Sequence, residues 1–408
     1  MSGSERQELP ASVNTPAPAR RPAPCSIAVA AVVPGLLALY LWTASRSLRS
    51  PNPYSIGHWL QSYEHGFIKR GLLGSVVRPL LHGRGPEQIN DTIELASFLL
   101  FAAFSLVMVA SATMILWRDR SLAVLVAAVV VLGSPFVVFS AHLVGYFDPL
   151  VAALGIASVY LVARSRWLGA GLLSGFAILA HEMYAVVAMP MVALCGWLQL
   201  DAQVRWRPTL ELLLAPTLAF AAVMVSTLLI GDEVLAAIRE DIAGRGVLEP
   251  YWVDMSTYHL EHGFLENLRR EYRFGWARAR NRTMAVVVLP ALISLLAAGA
   301  TQLYRSRRTR WIPVYVAFAL SPWLMHWVAW DLHRIAILPI FTAFLGFFGF
   351  SLLLPAPTDR QALPRWCIAG IFALGLGAAA ANAWTEVPLM DGQRDGEGAF
   401  SIGLSDDR

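Results

Sequence analysis

Apolar runs of about 20 residues recur along nearly the whole chain, and each is long enough to cross a hydrocarbon core of roughly 30 Å as one helix. A backbone in lipid must satisfy its own polar groups, so runs of this length favour helices packed side by side. Composition agrees: 56% hydrophobic residues, 15% charged residues and a mean hydropathy of +0.54 lie far from what a soluble domain of 408 residues shows. The pattern predicts an all-α, polytopic transmembrane helical bundle. Its longest polar interval, residues 231–284, is too short for an ordinary catalytic domain, so any chemistry has to be built from helix ends and loops.

Crossings are expected at 26–44, 92–117, 121–140, 149–164, 168–180, 183–200, 210–230, 285–304, 311–329, 335–354 and 366–385, about eleven helices in all. Residues 1–25 read as a disordered cytoplasmic tail, because they are polar and rich in Pro and Ala, with Arg20 and Arg21 just before the first apolar run. One transmembrane domain spans 26–386, with external loops at 46–91 and 231–284, and 387–408 form a flexible external tail. The short loops "RDR" at 118, "RSR" at 164, "RWR" at 205 and "RSRRTR" at 305, with the segment Arg360 to Arg365, carry the arginines and belong inside. That places "GYFDP", "AHEMY", "WDLHR" and both long loops outside, with the N-terminus cytoplasmic. Residues 168–200 would make one helix of roughly 50 Å, too long for a single crossing, and are read as two crossings broken at His181 and Glu182. Both long loops show the spacing of interfacial amphipathic helices.

Cys25, Cys195 and Cys367 lack metal-ligand spacing, and the formal charge of +4, spread as arginines over many loops, describes topology better than nucleic-acid binding. Ionisable residues gather instead on the external side. In "SYEHGFIKRGLLGSV", Glu64, His65, Lys69 and Arg70 fall within two helical turns, which suits a carboxylate base beside cations that hold a phosphate; solvated charges on an interfacial helix explain the same pattern. Lys69 is the sole lysine of the chain. Asp148 and Pro149 suit a helix start, and a carboxylate there also suits a divalent ion, Mg or Mn, with Glu182 as a second metal ligand. His181 and Glu182 between apolar segments are costly enough to suggest function, or pair with each other at a turn. In "WVAWDLHRIAI", Asp331, His333 and Arg334 follow His326, and Arg334 offers a bidentate fork for an anion or an ion-pair partner for Asp331.

This layout resembles the GT-C superfamily of membrane glycosyltransferases: about eleven helices, a cytoplasmic N-terminus, an external first loop with amphipathic helices and an acidic residue, and acidic or His residues on later external loops. The resemblance implies transfer of a sugar from a polyprenyl-phosphate-linked donor to an envelope glycan, lipid or protein acceptor on the external face. By that resemblance Glu64 matches the acidic residue of the first loop, Asp148 that of the second, and His181 and Glu182 the following external motif. Many members carry an Asp soon after the first helix, whereas the first acidic residue here is Glu64, well into the loop. Catalysis is expected from Glu64 and Asp148, and phosphate or substrate binding from His65, Lys69, Arg70, His181, Glu182, Asp331, His333 and Arg334. A transporter or flippase of an anionic lipid or saccharide, a glycan polymerase or ligase, and a non-catalytic assembly subunit stay open as alternatives. The abundance of Ala, Leu, Val and Arg suits a bacterial inner membrane.

Overall fold

The computed structural model describes residues 25–200, 205–261, 279–327 and 332–355, with the isolated positions 370 and 373. The expected crossing at 366–385, both tails, the arginines at 269, 270, 273 and 278, and Asp331 lie outside the described residues. Among those described, every regular element is helical. Five helical stretches are long and apolar enough to cross a membrane: Pro86–Arg118, Ala123–His142, Trp206–Leu229, Val288–Arg305 and Arg334–Leu353.

In chain order the helices are α1 (Cys25–Ser45), α2 (Pro53–Leu60), α3 (Gly71–Leu81), α4 (Pro86–Arg118), α5 (Leu122–Leu132), α6 (Pro135–His142), α7 (Asp148–Ala163), α8 (Trp167–Ala180), α9 (Tyr184–Val187), α10 (Met189–Gln199), α11 (Trp206–Leu229), α12 (Asp232–Gly244), α13 (Pro250–Glu261), α14 (Ala279–Arg305), α15 (Ile312–Ala319) and α16 (Leu332–Leu353). The core is built around α16, which packs against α4, α7, α10, α14 and α15 and buries Phe341, Phe344, Phe347, Phe348 and Phe350. Lipid tails are as apolar as these rings, so close packing, rather than escape from water, holds them together. Small residues permit the approach: Gly155 of α7 faces Ala188, and Gly175 of α8 faces Ala215 of α11.

Residues 168–200 break where the ionisable pair sits. Gln199 Nε2 donates to Ser165 Oγ at 2.8 Å, so the end of α10 returns to the start of α8, and the chain doubles back near 181–188. The 14 residues of α8 and 11 of α10 are each shorter than a full crossing needs. The apolar stretch 311–329 differs from expectation: α15 ends at Ala319, and a 3-10 turn, Ser321–Trp327, replaces the rest of the helix. Pro322 disfavours a helical conformation at Ser321, whose hydroxyl donates to Val186 O at 2.6 Å.

The two ends of the bundle differ in chemistry. At one end Gln302 Nε2 donates to Asp119 Oδ2 at 3.0 Å, and the Trp197 and Trp311 rings lie 6.4 Å apart, which gathers the arginine-rich turns near 118, 164 and 305. At the other, α2, α3, α12 and α13 form a cap with its own apolar core of Ile56, Trp59, Ile68, Val77, Ile238 and Val253 among others. Both long loops are helical, as their spacing suggested, and they pack on one another. Each loop alone presents one apolar face, and the other loop covers it. Gly57 of α2 meets Ser256 of α13 so closely that a Cβ at 57 would collide with the serine side chain, and Gln61 Nε2 donates to Ser256 O at 2.8 Å.

Candidate functional site

Beneath the cap, residues from five distant segments converge. The chain enters α3 through Arg70, held in the left-handed region at φ 63°, a conformation that costs a non-glycine residue about 1–3 kcal/mol. The compensating contact is at the other end of its side chain. Arg70 Nε donates to both carboxylate oxygens of Glu182, at 3.1 and 3.0 Å, and its Nη2 also pairs with Glu182. Glu182 is available there because α8 stops at Ala180. Burial opposes its ionisation, and Arg70 overrides that cost, holding the carboxyl well below the usual carboxylate range.

A second pair lies beside the first. Arg334, in the first turn of α16, donates from Nε to Asp148 Oδ1 at 3.0 Å, with Nη2 at 2.9 Å, and its guanidinium stands over the Tyr146 ring at 5.3 Å. Both side chains are buried, and Asp148 Oδ2 is buried with no hydrogen-bond partner. His181 bridges the two pairs: its Nε2 lies 3.1 Å from Arg334 Nη2, and its Nδ1 lies 3.4 Å from Glu182 and accepts from Met183 N–H at 3.2 Å. Burial holds this ring well below the ordinary imidazole value, with the Arg70 and Arg334 charges reinforcing the shift and Glu182 opposing it.

Three further groups complete the cluster. Lys69 makes no hydrogen bond or ion pair with a described residue; burial pushes its ammonium down to about 8, with Glu182 opposing and Arg70 reinforcing. His58 of α2 and His259 of α13 stack edge to face with centroids 5.2 Å apart, and His58 Nε2 and both His259 nitrogens are buried without hydrogen-bond partners. Burial holds both rings well below the ordinary imidazole value, and the charges of Arg70 and Lys69 deepen the shift in each. Neither histidine stands out in the sequence. His58 reads as a lone polar residue on an apolar helix, and His259 as part of a solvated loop. Only the spacing of Tyr54 and His58, one helical turn apart and in ring contact at 4.5 Å, gives a local signal.

The "EHGFIKR" motif is divided by its own backbone. A 3-10 turn, Tyr63–His65, ends at Gly66, so Glu64 and His65 do not share a helix with Lys69 and Arg70. Glu64 is half-exposed and pairs with Arg78; Arg78 Nη1 also reaches Asp241 at 3.1 Å, and His65 lies 3.9 Å from Asp241. Glu64, His65 and Asp241 have ligand atoms within 4.8 Å of one another, a group of the type that can hold a metal, but Arg78 and Arg245 neutralise its carboxylates. Asp148 and Glu182, the expected metal pair, are each engaged by an arginine, which weakens the case for a cation there. A groove of about 420 Å³ beside Arg78, His82, Arg84 and Arg245 lies on this outer side of the cap. Its charged lining includes Arg78, Asp241 and Arg245, ion-paired with one another and with the half-exposed Glu64, whereas the deeper cluster brings together Asp148, His181, Glu182, Arg70 and Arg334 from distant segments around the partnerless Asp148 Oδ2, and that distinguishes the deeper cluster as the site. His333 lies in the first turn of α16 with its side chain outside the described set, and His326 is buried in the preceding 3-10 turn.

Comparison with protein-family models, with curated proteins and with solved structures finds no match for this chain.

Proposed function

We propose that the protein is an integral membrane glycosyltransferase of GT-C type, using a polyprenyl-phosphate-linked sugar and an acceptor hydroxyl at the capped end of the bundle. The observation that carries this reading is the convergence of a buried carboxylate oxygen without a partner, Asp148 Oδ2, with two arginines and an amine, Lys69, that has no ion-pair partner among the described residues, at the end opposite the arginine-rich short loops. The positive-inside rule puts that end outside, where a lipid-carried donor is within reach of a chain that lacks a nucleotide-binding fingerprint.

Asp148 is the general base in this mechanism. Arg334 holds Oδ1 and fixes the carboxylate, and Oδ2 accepts the proton of the acceptor hydroxyl as its oxygen attacks the anomeric carbon. The bond from that carbon to the phosphate oxygen breaks, and the electron pair leaves on the phosphate. Cations placed before the reaction stabilise that charge. Arg70 and Arg334 are each balanced by a carboxylate, so the positive charge available to the departing phosphate in this scheme is the Lys69 ammonium.

The test is transfer from a panel of polyprenyl-phosphate monosaccharides by full-length protein in liposomes, read as released polyprenyl phosphate. Wild-type release that Asp148→Asn abolishes supports the reading; equal release by both proteins overturns the assignment of Asp148. Movement of the intact lipid between leaflets without sugar release identifies a flippase instead.

A further inference from the structure

The two arginines of the cluster have their forks occupied. Arg70 holds Glu182 with Nε and Nη2, and Arg334 holds Asp148 with Nε and Nη2. A bound anion would have to share or break these pairs, at the cost of leaving a carboxylate in a buried site uncompensated. The groups that are not so engaged are Lys69, His58 and His259. They come from both external loops, at the two sides of the α2–α13 contact.

We propose that Lys69, His58 and His259 form the subsite for the phosphate of the ligand, and that Arg70 and Arg334 are positioning residues that fix the carboxylates beside it. Three observations meet here. His58 is 1% exposed and His259 9%, so water reaches neither ring freely, yet three of their ring nitrogens have no partner. Each neutral ring carries one N–H donor; a buried donor without an acceptor costs about 1–3 kcal/mol, and a phosphate oxygen is an acceptor that suits it. The packing that joins the rings is tight, with Gly57 against Ser256 and Gln61 bound to the Ser256 carbonyl, so the pair is held before ligand arrives. Finally, Lys69 has no ion-pair partner among the described residues and directly precedes Arg70, whose fork reaches Glu182 inside the same cluster. A phosphate monoester or diester meets all three needs at once. The other charged or titratable groups acting on these three are Arg70, Arg334 and Glu182, and His181 couples to His58.

This subsite rests on the phosphate-linked reading above, and the test separates the two. Because Lys69 is the sole lysine, full-length protein expressed with ¹³C-lysine and placed in lipid nanodiscs gives one lysine Cε signal, whose pH titration reports this amine alone. The probes are farnesyl phosphate and inorganic phosphate, with retention of labelled farnesyl phosphate measured in parallel. Bound phosphate is expected to raise the Lys69 titration midpoint from about 8 by at least one unit. His58→Gln with His259→Gln is expected to weaken retention at least tenfold. A shift with both probes identifies a site for the phosphate group itself, and a shift with farnesyl phosphate alone identifies one for a lipid-linked phosphate. Farnesyl phosphate that is retained with the Lys69 titration unmoved overturns the subsite and leaves the transferase reading standing. No retention by the wild-type protein overturns both.

Discussion

Replacing Glu182 by Gln tests whether the paired charges under the cap are a structural unit. The Arg70 side chain is 12% exposed and that of Glu182 22%, so the pair is mostly withdrawn from water. Removing one partner of a fully buried pair costs about 3–5 kcal/mol, because the remaining charge is left uncompensated. Glutamine keeps one oxygen for the Arg70 fork and water reaches part of this site, which places Glu182→Gln near the low end, about 3 kcal/mol or roughly a hundredfold in the folding equilibrium. The assay is SDS-titrated unfolding in mixed micelles, followed by the fluorescence of the 14 tryptophans, with Arg70→Gln and the double variant completing a cycle. The double variant removes both charges and is expected to recover part of the loss, giving a coupling energy above about 1.5 kcal/mol. A coupling under about 0.5 kcal/mol, the range of exposed ion pairs, would refute the picture of a buried pair. The same substitution carries a second consequence. Glu182 supports the Lys69 ammonium, so the lysine midpoint in Glu182→Gln is expected to fall below about 8 in the ¹³C titration.

The remaining expectations are narrower. Asp148→Asn lowers sugar transfer by about 10²–10⁴-fold, the usual contribution of a general base, whereas Glu64→Gln stays within about threefold of wild type, because Glu64 is half-exposed and engaged by Arg78; release assays on both variants decide. Lys69 titrates near 8 when folded against 10.5 in an ordinary environment, so between these values the unfolded chain holds a proton that the folded chain has released. Its contribution to stability therefore rises with pH across that window, and Lys69→Met removes the rise in SDS unfolding measured at pH 7.5, 9 and 10. Gly57→Ala forces a methyl against Ser256, loosens α2 from α13 by about 1–3 kcal/mol, and is expected to speed limited proteolysis within 231–261.

Periodic apolarity fixes the class of this fold without help from tertiary contacts. Runs long enough to cross lipid must be helical, and the arginine-rich turns at 118, 164 and 305 do gather at one end, opposite the acidic and histidine motifs. The break at His181 and Glu182 was likewise legible, since charged residues in an apolar stretch are tolerated only where protein or water solvates them. Asp148, Glu182, Lys69, Arg70 and Arg334 stood out for the same reason, and the structure brings these five together. What sequence could not supply was partner choice. Arg334 faces Asp148 across 186 positions, and Asp331, three residues before Arg334, was the local candidate. Glu64 and Lys69 look like helical neighbours until the 3-10 turn at Tyr63–His65 ends at Gly66, leaving Glu64 half-exposed and paired with Arg78. His58 and His259 gave almost no signal, because a single histidine in an amphipathic segment is common and its meaning here comes from a ring on another loop. Local sequence determines which residues are expensive to bury; which of them share that cost depends on contacts between segments far apart in the chain, and those are set only when the cap closes over the bundle.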